Sequence, residues 1–203
     1  MKYIVTMLTM LASAAYAGEE QQKPTITDME RSSIVGSGND FASDLYGQLK
    51  TQKGNIFFSP ESITQALAMT FAGARDVTAS EMQSVLHFRM NNDYTHATLG
   101  DLIREKNARS ASGNYTFRTA NALWVQKDYE LQEGYLALVK THYEAKASNL
   151  DFATDAQGAA KTINQWVEEK TAGKIKDLVL ADALKKDIRL VLTNAVYFKA
   201  DWK

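Results

Sequence analysis

The chain has 203 residues, with 23 Lys and Arg against 24 Asp and Glu and a net charge of −1, a balance that argues against general affinity for nucleic acid or anionic membrane. Cysteine is absent. Disulfides and thiolate metal sites are therefore excluded, and a core built from the 45% hydrophobic residues must hold the fold.

Residues 1–17 read as a secretory signal: Lys2 supplies a positive start, residues 4–14 are mostly apolar, and Ala15-Tyr16-Ala17 is a small-x-small cleavage site. The apolar run is well short of the ~20 residues a membrane-spanning helix needs. Cleavage would expose Gly18 and remove only one charged side chain, Lys2. The expected location is secreted or extracellular, or periplasmic or cell-surface if the source is bacterial.

Residues 18–38 are polar, include Pro24, and are expected to form a flexible leader ahead of a folded domain over residues 39–203. Phe41, Leu45 and Leu49 fall at helical spacing, and after Gly54 the run Ile56-Phe57-Phe58 reads as a short buried strand. Ser59-Pro60-Glu61-Ser62 is a helix start: a capping hydroxyl, a proline where no N–H is needed, and an acid favoured by the dipole. The helix that follows carries Ile63, Ala66, Leu67, Thr70, Phe71 and Ala74 on one face and few charges, so it should be buried nearly all round.

Thr78-Ala79-Ser80-Glu81 is a capping box for a further helix with Met82, Val85 and Leu86 inward. Leu99, Leu102 and Ile103 mark another helix, running into a Ser/Gly/Asn loop over residues 110–114. Residues 115–125 alternate with period two, and both faces are apolar, which predicts a strand covered on both sides. Tyr135, Leu138, Val139 and His142 outline the next helix, residues 145–152 a second strand, and Ala159, Ile163, Trp166 and Val167 a helix ended by Thr171-Ala172-Gly173. Residues 188–198 form the last strand. Helices laid over a mixed sheet, an α+β architecture, are the expected fold.

Five segments, in order, carry a family resemblance. Phe41-Ala42-Ser43-Asp44-Leu45-Tyr46, then residues 55–63, then Asn121-Ala122-Leu123-Trp124-Val125, then Ile163-Asn164-Gln165-Trp166-Val167 with Thr171-Ala172-Gly173-Lys174-Ile175, and residues 192–199 together resemble a serpin. The resemblance runs over residues 39–203 and implies the N-terminal half of that fold, because the last strand would lie inside the family's main sheet. Ala200 stands where the family usually has Gly, and Val179-Leu180-Ala181 lacks a proline often seen there.

The implied function is inhibition of a target serine protease, with cysteine proteases as the alternative target class. A protease cleaves an exposed bait loop, and the loop inserts as a new strand beside residues 188–198 with the acylated protease attached. That bait loop is expected in the half of the family not matched here. Non-inhibitory serpins, acting as carriers, chaperones or storage proteins, are the first alternative. An exported hydrolase is the second.

Asn194 shares a strand face with Leu192 and Val196, where a buried amide must find hydrogen-bond partners. By resemblance Asn194, Ser59 and Ser62 belong to the shutter, a hydrogen-bonded cluster beneath the main sheet that loosens when the sheet opens. Trp202 matches the breach, where insertion begins. Trp124 and Trp166 are assigned to core packing.

His87, His96 and His142 are the only histidines. No Gly-x-Ser-x-Gly elbow accompanies them, and His142 on its helix's apolar face reads as a core histidine, so no catalytic residue is assigned. No two lie at helical metal-ligand spacing, so neither a metal nor a cofactor is expected. Arg104, Lys106 and Arg109 lie where some serpins bind glycosaminoglycans, but Asp101 and Glu105 interrupt them, and an ordinary solvated face is the reading. Asn114-Tyr115-Thr116 is a glycosylation sequon in a eukaryotic source.

Overall fold

The computed structural model describes residues 25–112 and 115–202. The signal segment over residues 1–17, residues 18–24 and Asn114 lie outside the described residues.

Helix α1 spans Asp28–Leu49, so the first eleven helical residues fall where a flexible leader was expected. Ser33, Gly36, Ser37 and Gly38 are poor helix formers, and that composition explains the sequence reading. Tertiary contacts override it. Ile34, Ser37 and Phe41 are buried, Ser37 Oγ donates to the carbonyl of His87 at 2.6 Å, and Arg31 donates to Glu105 at 2.6 Å and pairs with Asp101. The start is set locally by Glu30, which accepts from the Thr27 N–H at 2.9 Å.

Residues 56–58 are irregular, which corrects the expectation of a buried strand there. Phe57 is fully exposed at 102%, since no strand among the described residues pairs with it. Helix α2 (Pro60–Gly73) begins where the cap signal placed it, and Met69 and Phe71 are buried while Thr70 is exposed. Helix α3 (Asp76–Val85) starts two residues before the capping box, and Val85 faces solvent instead of the core.

Helix α4 (Asn92–Ser112) runs through part of the expected loop. It crosses helix α5 (Glu133–Tyr143) at Gly100, where an added Cβ would lie 2.6 Å from the carbonyl oxygen of His142. Only glycine permits that approach. Strand β1 (Tyr115–Gln126), strand β2 (Lys146–Leu150) and strand β3 (Leu190–Ala200) form one sheet in the order β2-β1-β3. β1 pairs with β2 in parallel and with β3 antiparallel.

Helix α6 (Ala156–Lys170) ends at Thr171-Ala172-Gly173, with Gly173 at φ +74 and its N–H donating to the carbonyl of Glu168 at 2.8 Å. The sheet separates two cores, as the two apolar faces of β1 require. Leu123 joins Phe41, Met69, Phe71, Val139 and Tyr143 under α1, α2, α4 and α5. Ala122 and Trp124 point the other way, onto Ile163, Trp166 and Val167 of α6. Trp124 and Trp166 meet edge to face at 5.6 Å, in keeping with a packing role.

Candidate functional site

A chain of amides lies between β3, β1 and α2, with Gln65 and Asn121 buried and Asn194 half-buried instead of fully buried as expected. The antiparallel register sets Asn194 directly opposite Asn121, and the Asn194 side-chain amide donates to Asn121 Oδ1 at 2.7 Å. The same Asn194 amide nitrogen lies 3.4 Å from Gln65 Oε1, and Gln65 in turn donates to Glu61 at 3.2 Å. Asn121 donates its own amide to the carbonyl of Tyr143 at 3.0 Å. Gln65 and Asn121 are only 2% and 3% exposed while Asn194 is half-buried and Glu61 is exposed, so the Asn121 bond to Tyr143 is sealed from water and the others are partly screened.

The hydroxyls of Ser59 and Ser62 bond to each other at 3.0 Å, and Ser59 caps α2 by accepting from the Ser62 N–H at 3.3 Å. Ser59 is exposed. Among the described residues no hydrogen bond joins this pair to Asn194. Gln65 makes that link instead, one turn further along the helix from Ser62. The expected trio is thus split into a serine pair at the helix start and an amide cluster centred on Asn194.

Gln65 and Asn121 were both legible as polar residues inside apolar elements, the signal that singled out Asn194. The pairings among them span 129 and 73 residues of sequence, which no local pattern carries. Trp202 lies beyond the end of β3 and is 102% exposed.

His87 Nε2 lies 2.8 Å from Asp44, and no serine hydroxyl bonds to this ring among the described residues. His96, rather than His142, is the buried core histidine, with no exposure at all, while His142 is half-buried. Nor do the described residues contain a group of His, Cys, Asp or Glu able to hold a metal ion.

Each of the three basic residues on α4 has an acidic neighbour: Arg104 with Asp101 at 3.8 Å, Lys106 with Glu61 at 2.6 Å, and Arg109 with Glu105. Hydrogen bonding to Arg31, with Arg109 nearby, holds the Glu105 carboxyl below its ordinary range. No helix among the described residues is long and apolar enough to cross a membrane.

The family described as Serpin (serine protease inhibitor) matches residues 37–203. An uncharacterized serpin-like protein of Thermococcus kodakarensis is 44% identical over 184 residues, covering 91% of this chain and 40% of that protein. The leukocyte elastase inhibitor of Xenopus tropicalis is 40% identical over 164 residues, covering 80% of this chain and 43% of that protein. Among solved structures, ovalbumin from emu (Dromaius novaehollandiae) superposes with a TM-score of 0.79 at 31% identity, covering 84% of this chain and 48% of that one. The chain spans roughly two fifths of the length of the curated relatives it matches.

Proposed function

The chain belongs to the serpin family, and on that premise we propose that it is the strand-receiving part of a serine-protease inhibitor that acts by inserting its cleaved bait loop into the main sheet. The observation that carries this reading is the Asn194–Asn121–Gln65 cluster. It ties β3 both to β1 and to the helix beneath, next to a β3 edge that has no strand partner among the described residues. A loop that enters beside β3 must slide that strand relative to α2. Hydrogen bonds between the two resist the motion until insertion is triggered.

Gln65 and Asn121 are buried and Asn194 is half-buried, so the bonds among them are worth more than in open water, and they are lost together when the strand shifts. That is the behaviour of a gate: closed by default and opened by a competing strand that supplies its own backbone pairing. The name of the leukocyte elastase inhibitor supports a protease as the partner. The role is binding and trapping, and the hydrolysis is the protease's own. Export through cleavage after Ala17 belongs to the same proposal, and N-terminal sequencing of the secreted protein should begin at Gly18.

The test is to incubate the intact protein carrying this chain with trypsin, chymotrypsin and elastase and to resolve the products on a denaturing gel. A covalent one-to-one complex with at least one protease is expected. Cleavage of the bait loop by all three without any complex would replace the inhibitory reading with the non-inhibitory one.

A further inference from the structure

Behind Asn121 the hydrogen bonds continue into the helical core. Tyr143, the last residue of α5, gives its carbonyl to Asn121, and its hydroxyl lies 2.5 Å from Nδ1 of His96 in α4. Both rings are enclosed, His96 with 0% and Tyr143 with 1% exposure. Four residues on four elements therefore form one line: His96, Tyr143, Asn121 and Asn194.

The chemistry of the first link depends on charge. Burial raises the Tyr143 phenol well above its ordinary range, so it keeps its proton. A neutral imidazole has one N–H and one acceptor, and either tautomer can satisfy Tyr143 through Nδ1. A protonated ring carries N–H on both nitrogens. The second of these, Nε2, has no hydrogen-bond partner among the described residues in its buried position.

Aromatic rings and a second histidine, not a carboxylate, surround that cation. Phe71 of α2 packs at 5.7 Å and Tyr143 of α5 at 5.8 Å between ring centres, and the charge that acts on His96 from α5 is His142, of the same sign when protonated. Tyr135, also on α5, is half-buried and itself held neutral by burial. Among the described residues no carboxylate offsets the burial, and burial first, then His142, lowers the His96 pKa to about 4.

We propose that His96 is a positioning residue for the gate: in its neutral form it fixes Tyr143, Tyr143 fixes Asn121, and Asn121 fixes Asn194, so protonating His96 loosens the strand that must move. The link to strand movement rests on the gate reading given above. The link from His96 to Asn121 stands on the geometry alone.

A group held near pKa 4 when closed and near 6.5 when released favours the released state in acid. Between pH 7 and pH 5 the open population should rise about twentyfold by that linkage. The experiment is amide hydrogen exchange of β1 in the intact protein at pH 7 and pH 5, corrected for intrinsic rates. The wild type should show the rise in opening at residues 121–125.

His96→Gln, which keeps an acceptor for Tyr143 but cannot titrate there, should stay closed at both pH values. The pair His96→Phe with Tyr143→Phe removes both polar partners and should also lose the acid response. A merely structural role would alter stability in these variants but leave the pH profile in place. If the wild type shows no acid-dependent opening, or if His96→Gln opens with the same profile, the proposal is overturned. Acid-dependent exchange in β1 without faster annealing of a synthetic bait-loop peptide would refute the gate reading while leaving control of Asn121 by His96 intact.

Discussion

Replacing Asn194 with Ala is the sharpest test of the amide cluster. The change removes the donor to Asn121 at 2.7 Å and to Gln65 at 3.4 Å. The second contact is long, and Gln65 Oε1 loses little with it, so most of the loss falls on Asn121. Its carbonyl oxygen is then left in a site only 3% exposed, at a cost of about 1–3 kcal/mol.

Asn121→Ala should cost a similar amount, because it strips a partner from both Asn194 and the Tyr143 carbonyl. The double variant leaves fewer orphans than the two single changes together. The singles should therefore overshoot the double by about 1–2 kcal/mol, within the range of coupling for residues in contact. Urea unfolding of the four proteins, read by tryptophan fluorescence, measures this directly. The singles should also polymerise faster on mild heating, since the strand is less firmly held. Additivity within about 0.3 kcal/mol would show that Asn121 and Asn194 do not act as a unit, and the gate would lose its central bond.

Three further outcomes follow from the packing. Gly100→Ala should lower the melting temperature markedly, because its Cβ would meet backbone atoms of His142 at 2.6 and 2.8 Å that cannot rotate away, whereas Gly47→Ala meets nothing within 4 Å and should stabilise helix α1 by about 0.5–1 kcal/mol. Equal melting for the two variants would refute the close crossing of α4 and α5. Thr193→Val removes the acceptor of the Trp124 indole N–H at 3.0 Å in a fully buried site and should cost about 1–3 kcal/mol with a shift in tryptophan emission; an unchanged urea midpoint would contradict that bond. Residues 18–203 expressed alone should self-associate, because one edge of β3 has no strand partner among the described residues and Phe57, Phe198 and Trp202 are exposed, and a monodisperse, cooperatively melting monomer in the ultracentrifuge would refute this.

Local chemistry determined much of this protein from sequence alone. Ser59 and Pro60 start α2 because a hydroxyl and a missing N–H solve the same end problem, whatever surrounds them. Thr171-Ala172-Gly173 ends α6 through a backbone shape that glycine favours. The alternation in β1 announced a strand covered on both faces, since a period of two leaves no other way to bury both sets of side chains. The family, too, was legible in five short segments.

Tertiary structure decided the rest, where the stabilising partner lies far along the chain. Residues 28–38 are helical because Ile34, Ser37 and Arg31 find partners on other elements, not because they favour helix. Residues 56–58 look like a strand but have no neighbour to pair with among the described residues. His142 lies on an apolar stripe, yet His96 is the one sealed in the core, because the crossing at Gly100 sets which side of α4 meets Tyr143. Asn194 was visible as an amide in an apolar strand in need of partners, and it is half-buried. Which residues answer it, Asn121 and Gln65 rather than the two serines, was fixed by strand register and helix docking, and both depend on contacts that sequence spacing does not encode.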